Sequence, residues 1–112
     1  MNQRIKQQWI EALRSGKYKQ TREVLRDNSG FCCLGVLTDI YLKEHNLSWT
    51  VESGCFLAPE RQDVSLPQSV VDWAGLSCKY GSPTDRDGIE FATHNDDGWS
   101  FKEIAKMIES DL

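Results

Sequence analysis

The 112-residue sequence predicts one α+β domain, mainly helical, with about four helices and a few short strands. Three observations carry that prediction. Apolar residues recur at helical spacing near both ends of the chain. The stretch FCCLGVLTDIYL, residues 31–42, is apolar on nearly every side of a helix, as a central element would be. Between these segments lie short apolar pieces punctuated by turn residues. The composition, 39% apolar and 27% charged, is that of a soluble globular chain and not a disordered one. No apolar run approaches the roughly 20 residues that span a membrane, so no membrane association is expected.

Each element has its own signal. In residues 2–15, Ile5, Trp9 and Leu13 recur every fourth position with Ala12 beside them, and Gly16 supplies a stop. Residues 17–26, KYKQTREVLR, show no helical stripe; Tyr18, Gln20, Arg22 and Val24 alternate with their neighbours, which predicts an irregular arm ending in a short strand over 20–25. Asp27-Asn28-Ser29-Gly30 is a turn. Phe31 to His45 is the central helix, with Phe31, Leu34, Leu37, Ile40 and Tyr41 on one face. Residues 50–57 supply strand pieces in a hairpin or loop. LPQSVVDWAGL, residues 66–76, is a short helix opened by Pro67 and closed near Gly75. Residues 77–88 read as loop, and IEF as a last strand piece over 88–91. Ser100 followed by Glu103 is a capping box, and Phe101, Ile104, Ala105 and Ile108 form the buried stripe of the helix that follows. The helices of residues 2–15, 66–76 and 101–109 are expected to pack around the central one.

Gly35 stands inside the apolar helix at a cost of about 1 kcal/mol relative to alanine. Close approach of another backbone or a ring explains it; the floor of a ligand pocket is the alternative. Cys32 and Cys33 are adjacent, while Cys55 and Cys78 each stand alone. That spacing does not suit a structural zinc site, which pairs its ligands as C-x(2–4)-C. No metal and no cofactor is expected. The N-terminus has no secretory apolar block, so a cytoplasmic chain with reduced thiols is expected. A cysteine at a helix start can be an activated nucleophile, with His45 or His94 as base and Asn95 to orient it. Free cysteine is also among the most buried residue types, and within FCCLGVL the pair reads as core.

The net charge of −4 is unevenly spread. Residues 1–26 hold seven basic side chains against Glu11 and Glu23, a net +5; residues 27–112 hold six basic and fifteen acidic ones, a net −9. The basic arm RSGKYKQTREVLR is the most suggestive polar stretch. Arg14, Lys17, Lys19, Arg22 and Arg26 suit phosphate, Tyr18 can stack and Gln20 can read a base edge. The alternative is that these cations pair with the chain's own acidic remainder. The C-terminal DDGWSFKEIAKMIE resembles the first half of a helix-turn-helix, but it is acidic and no recognition helix follows, so duplex DNA is disfavoured. Trp49 and Trp99, in loops, together with Asp96 and Asp97, are candidate contacts to a protein partner.

Four blocks carry a resemblance: WIEALRSGKYKQ (9–20), FCCLGVLTD (31–39), LPQSVVDWAGL (66–76) and HNDDGWSFKEIAKMIE (94–109). In order and spacing they resemble a family of small proteins of tailed phages and prophages. The resemblance implies a phage or prophage gene acting in the bacterial host cytoplasm, and it brings no catalytic residues with it. His94 departs from the family pattern, in which an apolar residue precedes the Asn-Asp pair. By analogy with small accessory phage proteins, the expected function is binding without catalysis, as counter-defence by sequestering an anionic, nucleotide-like signal. The alternatives are a protein–protein inhibitor of a host defence enzyme acting through the acidic surface, and a cysteine-dependent hydrolase. A homodimer would close a binding site between subunits, although no residue demands one.

Overall fold

The computed structural model describes residues 1–80 and 90–112. The order of elements is α1 (Gln3–Arg14), α2 (Cys33–Glu44), β1 (Thr50–Glu52), β2 (Cys55–Leu57), a short 3-10 segment (Pro59–Arg61), α3 (Gln68–Ala74), α4 (Phe91–Asp96) and α5 (Phe101–Asp111). The chain is thus the mainly helical α+β domain its sequence predicts, with five α-helices among the described residues where about four are expected. No helix among the described residues is long and apolar enough to cross a membrane.

The stripes fall where their spacing puts them. Ile5, Trp9 and Leu13 of α1 are buried with Ile10, and Phe101, Ile104, Ala105 and Ile108 of α5 are buried together. These two helices form the most extensive helix pair. Asn2 caps α1 by accepting from the Ile5 amide at 3.1 Å, and Ser100 and Glu103 form the capping box that opens α5. α2 packs on α1, α3 and α4, and every residue from Cys33 to Asp39 is buried. α5 packs chiefly on α1, and also on α4. The buried indole of Trp9 crosses to α2 and donates to the Cys33 carbonyl at 2.9 Å. Trp73, on an apolar face by its spacing, is only half-buried; its indole donates to Glu44 Oε2 at 2.7 Å and its ring packs edge-on to Tyr41.

β1 and β2 form an antiparallel hairpin with Val51 opposite Phe56. Its turn residues, Ser53 and Gly54, have φ of 51° and 79°, the left-handed pair of a type I′ turn. α3 has no cap of its own, because Pro67 offers no side-chain acceptor. Glu60 serves in its place: Oε1 accepts from the Gln68 amide at 3.2 Å, and Oε2 from the Ser69 amide at 3.1 Å and hydroxyl at 2.9 Å. Both Glu60 and Arg61 adopt left-handed φ to bring this about.

Two strand predictions are corrected. Residues 20–25 make no strand: Gln20 and Arg26 each bridge to Phe31, so the arm wraps around that residue instead of running beside a partner strand. Of the 88–91 piece, residues 88 and 89 lie outside the described residues, Glu90 is an N-cap and Phe91 opens α4. The central helix also starts two residues later than predicted, with Phe31 and Cys32 still extended.

Candidate functional site

The arm is built against the start of α2, and two glycines make this possible. A Cβ at Gly35 would be driven into the backbone carbonyl of Leu25. That carbonyl accepts from the Cys32 amide at 3.1 Å, while the Leu25 amide donates to the Asp63 carbonyl at 2.7 Å. Of the two explanations for Gly35, close approach of a second backbone is therefore the one observed. Gly30 plays the same part against the Lys19 carbonyl, which accepts from the Phe31 amide at 2.8 Å. Asp27 closes the turn, with Oδ1 accepting from the Ser29 and Gly30 amides and Oδ2 from the Thr21 hydroxyl.

A cleft of about 400 Å³ opens beside this junction, lined by Lys17, Tyr18, Arg26, Phe31, Asp39 and Lys43. At its base Asp39, with a side chain only 9% exposed, gathers three donors. The Tyr18 hydroxyl donates to Oδ2 at 2.6 Å, the Lys43 ammonium lies 2.9 Å from Oδ2, and the Trp49 indole donates to Oδ1 at 3.1 Å. Burial pushes the Asp39 carboxyl up, but the hydrogen bonds from Tyr18, Lys43 and Trp49 outweigh it and hold the group below its ordinary value. Burial and the Asp39 charge raise the Tyr18 phenol, and the hydrogen bond to Asp39 raises Lys43. The three groups are therefore fixed at neutral pH as carboxylate, neutral phenol and ammonium.

Arg26 forms one wall. Its guanidinium lies 4.9 Å from the centroid of Phe31, 5.7 Å from Trp49 and 4.2 Å from Phe56. Phe31 in turn meets Tyr18 and Trp49 edge to face. Neither Arg26 nor Lys17 forms an ion pair with any described residue.

The other arm residues lie elsewhere. Arg14 pairs with Glu109 at 3.1 Å, both ends being exposed. Lys19 is exposed, and the Arg22 guanidinium lies close over Gly98. Gln20 Nε2 donates to Asn95 Oδ1 at 2.9 Å and to the Trp99 carbonyl at 2.7 Å. Asn95 Oδ1 also accepts from the Cys33 amide at 3.1 Å, and its Nδ2 donates to the Thr21 carbonyl at 2.8 Å. Gln20 and Asn95 thus clasp the arm to α2 and α4. The partner-contact candidates are also engaged within the fold: Trp99 stacks on His94 with centroids 4.0 Å apart, Trp49 is held by Asp39, and Asp96 accepts from the Glu23 amide at 2.8 Å. Asp97 is exposed.

The cysteine pair lies in the core. Cys32 is 5% exposed and Cys33 fully buried. Cys32 Sγ caps α2, accepting from the Gly35 amide at 3.4 Å, yet burial outweighs this contact and pushes the thiol up to about 11. Burial carries Cys33 well above its ordinary range too. Of the groups in the Cys-His-Asn reading, His94 stacks on the Trp99 ring. His45 caps the far end of α2, twelve residues on and so roughly 18 Å along the axis at 1.5 Å per residue, and Asn95 is spent on backbone groups and Gln20. Among the described residues no His, Cys, Asp and Glu cluster is arranged to hold a metal ion.

The sequence does not mark Asp39, Lys43 or Phe56 as site residues, and it marks Phe31 only as part of the apolar face of the central helix. One signal pointed to the first two: a carboxylate on an otherwise apolar helix, one turn before a lysine.

Fold and site together define a small helical α+β domain with a cationic, aromatic-walled cleft between an irregular arm and its central helix. The chain matches the family described as domain of unknown function DUF8296 over residues 1–112, and it belongs to that family. Comparison with curated proteins and with solved structures returned no match.

Proposed function

We propose that the protein works by binding an anionic, nucleotide-like small molecule in the cleft between the arm and α2. The observation that carries this reading is Arg26: a guanidinium fixed over three aromatic rings, at the edge of a 400 Å³ cleft, with no carboxylate partner among the described residues. Its contacts within the fold are to rings, which leaves its N–H donors without an acceptor among the described residues, and Asp39, on the same cleft, is taken by Lys43, Tyr18 and Trp49. The cleft volume is within the range of small-molecule sites. The resemblance of the FCCLGVL and NDDGWSFKEIA blocks to small phage proteins supports a role as a phage accessory protein that withholds a nucleotide-like signal in the host cytoplasm.

A thermal-shift screen against mononucleotides, cyclic di- and trinucleotides and ADP-ribose derivatives tests the reading. A ligand at 100 times its Kd adds about 2.7 kcal/mol, which for a domain of this size raises Tm by about 10 °C. A hit that is lost in Arg26→Ala supports the cleft. A hit unchanged in Arg26→Ala places the site elsewhere, and a flat screen, followed by a stoichiometric partner in a host-lysate pull-down, favours the protein-inhibitor alternative.

A further inference from the structure

We infer that the cleft selects its ligand by a terminal phosphomonoester and is indifferent to the base that ligand carries. The inference rests on the binding role proposed above and follows from which groups are already spent. Of the three cations lining the cleft, Lys43 is neutralised by Asp39 at 2.9 Å. Lys17 and Arg26 have no such partner among the described residues, leaving two positive charges facing the cleft. A phosphomonoester near neutral pH carries close to two negative charges, whereas a phosphodiester carries one.

Arg26 is disposed for this. Its guanidinium carbon lies 4.9 Å from the Phe31 centroid and 4.2 Å from that of Phe56, contacts that consume none of its N–H donors. Its N–H groups bond no described residue, so the planar fork that matches two phosphate oxygens has donors to spare.

The groups that would read a base are engaged elsewhere. The Gln20 amide is bound to Asn95 and the Trp99 carbonyl. The Tyr18 hydroxyl and the Trp49 indole both donate to Asp39, whose two oxygens already receive three donors with Lys43. The rings of Phe31 and Phe56 each already carry the Arg26 guanidinium on one face. What remains on the cleft surface is charge without a base-specific pattern of donors and acceptors.

The test is isothermal titration of the wild-type protein with AMP, GMP, CMP, UMP, ribose 5-phosphate, cyclic AMP and pyrophosphate. Dissociation constants for the four nucleoside monophosphates should agree within about threefold, and cyclic AMP should bind at least about tenfold more weakly than AMP. Ribose 5-phosphate, without any base, should stay close to the nucleotides. Lys17→Ala, a change at an exposed side chain, should narrow the gap between AMP and cyclic AMP. A spread above tenfold among the four bases, or equal binding of AMP and cyclic AMP, overturns this inference while leaving the binding role standing. Absence of binding by every anion in the series, pyrophosphate included, overturns both.

Discussion

Replacing Gly35 by alanine sets two physical effects against each other, and the structure decides the sign. On helix propensity alone the change stabilises by about 1 kcal/mol, because glycine inside a helix is penalised. Against this, the new Cβ meets the Leu25 carbonyl, a backbone atom held from both sides. The Leu25 amide is tied to Asp63, and its carbonyl receives the Cys32 amide. The arm therefore cannot yield without breaking a buried hydrogen bond, at about 1 kcal/mol, and overpacking of a tight site costs about 1–3 kcal/mol. The net expectation is a loss of about 1–3 kcal/mol, or roughly 4–12 °C in Tm. Urea denaturation of wild type and Gly35→Ala measures it, with Gly16→Ala as control. Gly16 has a left-handed φ of 76° but nothing within 4 Å of a Cβ, so only its backbone cost should register. Because Leu25 precedes Arg26, Gly35→Ala should also weaken ligand binding. A Gly35→Ala protein as stable as wild type, or more so, would refute the claim that the arm is locked onto α2 by backbone contact.

Three further outcomes follow from the same geometry. The folded-state carboxyl of Asp39 lies below its ordinary value of 3.8, so the unfolded chain takes up its proton first. Its contribution is complete above that value and is lost as pH falls through the lower folded one; Asp39→Asn should flatten this part of the stability–pH curve in urea titrations below pH 4. Iodoacetamide should modify exposed Cys55 in the native protein and reach Cys32 and Cys33 only after denaturation, as peptide mass mapping would show. Glu60→Ala removes the remote cap of α3 and should lower stability by about 1 kcal/mol, measured by thermal denaturation.

How far the sequence discloses this fold depends on how local each determinant is. α1 and α5 are legible because stripe and cap lie within one segment: Ile5, Trp9 and Leu13 after Asn2, and Phe101 to Ile108 after Ser100. The stop at Gly75 is similarly local, whereas residues 50–57 read equally well as a hairpin or a loop. α4 is not legible. It has six residues, no side-chain cap, and an Asn-Asp pair that reads as a turn. The clasp that holds it in place, from Asn95 to Cys33 and Gln20, is made across 62 and 75 residues. The alternation in the arm misled for a related reason. An alternating pattern signals a strand only where a partner edge runs alongside, and here both Gln20 and Arg26 turn back to Phe31. For the site, charge patterning found Lys17, Tyr18 and Arg26, but it did not separate them from Arg14, Gln20 and Arg22, which tertiary contacts direct to the C-terminal part of the chain. Nor did it find Asp39, whose partners Tyr18 and Trp49 come from segments on either side of α2.

The most direct test of the cleft is a titration of the ¹⁵N-labelled protein with AMP, followed by amide correlation spectra. The account predicts saturable shifts concentrated on the backbone amides of Lys17, Tyr18, Arg26, Phe31, Asp39 and Lys43, absent in Arg26→Ala. Shifts centred on another surface, such as the groove beside Leu47 and Glu60, or an unchanged spectrum at millimolar AMP, would contradict it.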